Sequence, residues 1–136
     1  MRNVFDSFAG FDNFLLYLVV SLVLLALFLA VYVRVTPYRE IALIREGNMA
    51  ASFSLSGALL GFVVPLSAAV RYSVSLIDMV IWGLIALLVQ LAAFVAVKLM
   101  IPHLTQDIPQ GKGAQGFFLG SLSLGVGLLN AACMSY

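Results

Sequence analysis

Little in this chain is equipped for chemistry. One cysteine, Cys133, excludes an internal disulfide and a cysteine-based metal cluster. The one histidine, His103, falls in a loop, and no H-E-x-x-H, phosphate-loop or dinucleotide fingerprint accompanies it. Cys133 has no base near it in sequence and lies among small residues. The expectation is a chain with no catalytic residue, no cofactor and no metal, and therefore not an enzyme. Charge is scarce as well. Seven basic and six acidic residues leave a formal net charge of +1, too small a field to draw nucleic acid.

What the chain has is apolar surface. It is 63% hydrophobic and 10% charged, against about 45–50% and about 25% in soluble domains. Its mean hydropathy is +1.11. A core of this size cannot hide so much apolar surface, so the lipid bilayer must be its solvent. A hydrocarbon layer of about 30 Å takes about 20 helical residues. Four segments are long enough, roughly Phe14 to Val33, Met49 to Val70, Ile77 to Leu99 and Ala114 to Met134. Continuous rather than alternating runs argue against barrel strands. The first run is longer than a signal-peptide core, follows a stretch with Asp6 and Asp12, and has no small-residue cleavage site after it, so it reads as a retained span.

Basic residues orient the spans. Arg34, Arg39 and Arg45 lie between the first and second, and Lys98, His103 and Lys112 between the third and fourth. The opposite side has only Arg2 and Arg71. Both basic connections are expected to be cytoplasmic and both termini periplasmic. Tyr32 and Tyr38 at one boundary, and Tyr72, Trp82 and Tyr136 at the other, suit interfacial rings. In VRVTPYREIALIREGN a short interfacial helix is possible, capped by Thr36 and started by Pro37. Tyr38, Ile41 and Ile44 would face lipid, and Arg39, Arg45 and Glu46 water. A helical extension of the first span followed by a turn is an equal alternative. PHLTQDIPQGKG reads as turn chemistry.

The two halves resemble each other. Pro37 aligns with Pro102, Ile44 with Ile108, Gly47 with Gly111, Leu55 with Leu119 and Gly61 with Gly125. Two spans per half make the repeat parallel, with its axis along the membrane normal. The fold class expected is an all-α integral membrane protein of four transmembrane helices arranged as two parallel two-helix repeats. Residues 1–136 form one membrane domain, with repeat one at about 14–70 and repeat two at about 77–134.

In each half an aliphatic span precedes one rich in small residues. Ala50, Ser54, Gly57 or Ala58, Gly61 and Pro65 form one stripe, and Gly116, Gly120, Ser123, Gly127 and Asn130 another. Such stripes let helices approach closely, joining the bundle or its subunits, or else line a narrow polar path. No ionisable residue falls near the middle of a span, but Gln90 does, and Asn130 lies in the outer part of the last. Either amide can bridge helices. Pro65 should free a carbonyl one turn earlier, around Gly61, as a hinge or an ion-binding oxygen. The candidate helix-contact or pathway residues are Ser54, Gly57, Gly61, Pro65, Gln90, Gly120, Ser123, Gly127 and Asn130. At the short outer link, Ser75 and Asp78 resemble a capping box, and Arg71 and Asp78 are a candidate pair across its mouth.

REGNMAASFSLSGALLGFVVPLSAAV, SLIDMVIWGLIALLVQL and GLLNAACMSY resemble the YjfL-like bacterial inner-membrane proteins, domain-of-unknown-function family 350, over nearly the whole chain. The resemblance implies a small four-span inner-membrane protein of two similar halves and no established activity. It also implies genomic neighbours similar to phage-shock protein A and to glutathionylspermidine synthase, hence a link to envelope stress, polyamine metabolism or ion homeostasis. Two functions fit. One is a homo-oligomeric channel or transport component. The other is a non-conducting scaffold, or a subunit recruiting a membrane-stress protein through its basic segment from Arg34 to Arg45.

Overall fold

In this computed structural model residues 10–134 are described; Arg2, Asp6 and Tyr136 lie outside them. Six helices follow in order: α1 Phe11–Val35, α2 Glu40–Arg45, α3 Met49–Tyr72, α4 Leu76–Met100, α5 Leu104–Asp107 and α6 Gly113–Cys133. Helices α1, α3, α4 and α6 are each long and apolar enough to cross a membrane, and no strand occurs among the described residues. The protein is an all-α integral membrane protein. The largest shift from the expected span limits is at the start of the first, Phe11 instead of Phe14.

Local chemistry sets the boundaries. Asn48 caps α3, its Oδ1 accepting from the Ala51 N–H at 2.9 Å. Such a cap is worth about 1 kcal/mol. Gly47, at φ +87°, makes the left-handed turn out of α2, and Gly111, at φ +78°, makes the corresponding turn ahead of α6. Ser75 Oγ accepts from the Asp78 N–H at 3.1 Å, and the Asp78 carboxylate accepts from the Val74 N–H at 3.1 Å. That is the expected cap, with the carboxylate reaching one residue further back than a capping box requires.

Two expectations for the first connection are corrected. Thr36 does not cap α2: its N–H and its hydroxyl both bond the Tyr32 carbonyl, so it ends α1, and α2 starts at Glu40 behind Arg39. Tyr32 and Tyr38 do not present their rings to an interface either; both are buried. Extended backbone after α1 turns Tyr38 back under the bundle. In the second connection the turn sequence holds one helical turn, α5. The two connections are tied together, Asn48 Nδ2 donating to the carbonyls of Ile108 at 3.0 Å and Pro109 at 3.2 Å.

Helix α3 is the centre of the bundle. It packs against α6, α4, α2 and α1. Helix α1 lies at the edge, burying only Leu24, Phe28 and Tyr32. The Phe28 ring stacks on Phe62 of α3 at 4.5 Å between centroids, and Tyr32 meets Phe94 of α4 edge-on at 5.9 Å. The end bearing the two basic connections is called the loop end below, and the end bearing the α3–α4 link the hairpin end.

Candidate functional site

The two small-residue stripes face each other. A Cβ on Gly57 would fall on the backbone of Gly120, one on Gly61 on the Ser123 carbonyl, one on Gly116 on the backbone of Ala50, and one on Gly127 on the backbone of Gly61. Contacting positions rise together along both helices, so α3 and α6 run parallel. Ser54, Gly57, Gly61 and Pro65 of α3 are buried, as are Gly120, Ser123 and Gly127 of α6. The repeat alignment did not locate this contact. Gly125, aligned with Gly61, has open space where a Cβ would stand.

Pro65 sits inside α3 without ending it. It has no N–H, so the Gly61 carbonyl lacks its usual helical donor. Gln90 supplies one. Its side chain is fully buried, and Nε2 donates to the Gly61 carbonyl and to the Ser123 carbonyl, both at 3.0 Å. One amide thereby joins α3, α4 and α6 at mid-membrane depth. Such bonds contribute about 0.6–2 kcal/mol in a bilayer.

Several polar atoms around and beyond this clasp are buried without a partner. They are Gln90 Oε1 and Ser123 Oγ in the middle, and Asn130 Nδ2 and Ser73 Oγ toward the hairpin end. Arg71 lies with its guanidinium 5.8 Å from the Tyr72 ring centroid, while Asp78 serves the start of α4.

The loop end holds a group that sequence reading missed. Glu40 is 1% exposed, and neither carboxylate oxygen has a hydrogen-bond partner. The hydroxyls of Tyr32 and Tyr38, its electrostatic neighbours, are also buried and unpartnered. Thr36 lies beside Glu40 and Ser54 beside Tyr38, and their hydroxyl protons go to helix carbonyls, Thr36 to Tyr32 at 3.2 Å and Ser54 to Ala51 at 3.0 Å. Burial pushes the Glu40 carboxyl up from its usual 4.5 to about 7, partly offset by the nearby Thr36. Burial, and then the charge of Glu40, push the Tyr38 hydroxyl up. A usable signal was present in the sequence: Glu40 is four residues before Ile44, so both lie on the apolar side of α2. By contrast Asp107, also buried, is paired with Lys112 at 3.2 Å. Among the described residues no three His, Cys, Asp or Glu side chains gather to hold a metal ion.

Comparison with known proteins places the chain. A family model described as Domain of Unknown Function (DUF350) matches residues 6–134. The UPF0719 inner membrane protein YjfL of Escherichia coli K12 is 40% identical over 134 residues, covering 98% of this chain and 99% of that protein. The UPF0719 transmembrane protein YshE of Bacillus subtilis is 28% identical over 118 residues, covering 85% and 88%. No solved structure matches significantly. With nearly its whole length matched, the chain belongs to the DUF350 family.

Proposed function

We propose that this protein is a non-enzymatic transport component of the bacterial inner membrane, working as a homo-oligomer to pass an ion or small cation. One observation carries the reading. Buried polar atoms without partners occur at three depths: Glu40, Tyr32 and Tyr38 at the loop end, Gln90 and Ser123 in the middle, and Asn130 and Ser73 toward the hairpin end. Each such atom is costly where no water can reach it, and intramembrane polar groups mark ion and proton routes. The relatives named as inner membrane proteins support the location, and the basic connections support a cytoplasmic loop end. The α3–α6 contact is backbone against backbone, so a hydrated ion has no room along that seam. Anything wider than a proton would need a passage between copies.

The scaffold reading draws on the exposed Arg34, Arg39 and Arg45, a basic surface for an acidic partner. Purified protein in liposomes separates the two. Flux of protons, potassium, sodium or a polyamine above that of empty vesicles, reduced by Asn130→Leu, is the expected result. Intact oligomers that pass none of them would leave the scaffold.

A further inference from the structure

We propose that Glu40, flanked by Tyr32 and Tyr38, is a proton-binding site at the loop end of the bundle. The inference deepens the transport reading by naming its ligand. Three side chains from two neighbouring segments converge there, α1 giving Tyr32 and the stretch into α2 giving Tyr38 and Glu40. All are buried, and their four terminal oxygens have no hydrogen-bond partner.

An ionised carboxylate in such a place needs a counter-charge, and no ion pair supplies one. The other buried carboxylate described above, Asp107, has such a partner in Lys112. A bound metal cation would need about six oxygen ligands. The hydroxyls of Thr36 and Ser54 donate to helix carbonyls and keep only neutral lone pairs, so the site offers a single acidic side chain, and no three His, Cys, Asp or Glu side chains gather among the described residues. A proton needs one oxygen.

Protonation forms one O–H bond on the carboxylate and turns one hydronium into water. The protonated Glu40 can then donate to a tyrosine oxygen. When it is ionised, the two phenols can donate to it. Access is by a cleft of about 350 Å³ lined by Val33, Arg39, Glu40, Ile41, Ala42 and Arg45. Tyr32 and Tyr38 belong to a core cluster whose α4 and α5 members, among them Phe94, Val97 and Leu104, are apolar. The titratable groups at Glu40 are the two tyrosines, with Arg39 and Arg45 lining the cleft. A carboxyl titrating at about 7 suits a site that loads and releases protons at neutral pH.

The test is an infrared titration of the full chain in lipid nanodiscs. A protonated-carboxyl band should titrate near pH 7, vanish in Glu40→Gln, and ignore exchange of sodium for potassium. Tyr38→Phe removes a donor to the ionised form and should move the midpoint upward, which a merely structural tyrosine would not do. That variant keeps the carboxyl and serves should Glu40→Gln fail to fold. A band titrating in the ordinary carboxylate range, one that survives Glu40→Gln, an unmoved Tyr38→Phe midpoint, or a midpoint that follows sodium or potassium concentration would each overturn the site. The readout does not depend on flux. A titrating Glu40 in vesicles that pass no protons keeps the site and defeats the transport reading, and flux without a titrating Glu40 does the reverse.

Discussion

Helices α6 and α1 both pack on α3, by opposite means. Helix α6 approaches until glycines meet backbone: Gly116 on Ala50, Gly120 on Phe53 and Gly57, Gly127 on Gly61. Helix α1 stays further off and reaches in with large rings, Phe28 onto Phe62 of α3 and Tyr32 onto Phe94 of the adjoining α4. Lipid tails are as apolar as leucine, so hydrophobicity does not drive helix association in a bilayer. What holds α6 is close van der Waals contact and the Gln90 clasp. What holds α1 is shape at a few positions, and where its rings end, beside Tyr32, the polar pocket of Glu40 begins. The tight seam admits one neutral amide, Gln90, between its carbonyls; the looser one encloses an ionisable carboxyl.

Substitutions should separate the two contacts in a definite order. Gly57→Leu must force α3 from α6, because there the Cβ alone already meets the Gly120 backbone. It should cost about 4 kcal/mol or more and leave little folded protein in thermal unfolding in detergent. Gly125→Ala is its control. With open space at the Cβ, it should be neutral or gain up to about 1 kcal/mol.

Next comes the pocket. Glu40 has its folded pKa raised, so the folded state binds the extra proton. Its stabilisation is complete below the unfolded value of 4.5 and falls as pH rises to about 7. The loss over that window should be about 3 kcal/mol, at 1.36 kcal/mol per unit. Denaturation in detergent at several pH values should show this slope, and Glu40→Gln should flatten it. A slope that persists in Glu40→Gln would assign it to another acid.

Gln90→Leu should cost about 2 kcal/mol, leaving the Gly61 carbonyl without a donor beside Pro65. Restoring an N–H with Pro65→Ala should recover part of that loss, and a double-mutant cycle measures the coupling. The smallest effect belongs to the outer face of α1. Leu22, 54% exposed, should tolerate Ala within about 0.5 kcal/mol. A larger loss, dependent on protein concentration, would show that α1 packs against another copy.

Much of this was legible in the sequence, at the level of elements and faces. Span limits followed from hydropathy and length, because a bilayer sets both. The small-residue stripes were readable from helical spacing, and Pro65 with Gly61 from backbone chemistry. What the stripes touch was not readable. The aligned glycines Gly61 and Gly125 ended in different surroundings, since internal similarity preserves chain register but not which face of a helix meets its neighbour. Gln90 and Gly61 were each noted, yet as separate features on different helices. Glu40 does not stand out in the sequence, because a charged residue between Arg39 and Arg45 reads as solvated.

The sequence by itself therefore determined that the chain lives in lipid, where its four long spans lie to within a few residues, and which residues are small enough for backbones to meet. Those properties are local, fixed by solvent transfer and by bonds within a few residues. Only the tertiary structure decided that the two stripes close on each other, that Gln90 answers the carbonyl Pro65 leaves open, and that Glu40 turns inward against Tyr32 and Tyr38. Each depends on groups far apart in the chain arriving at one place, and helix packing alone brings them there.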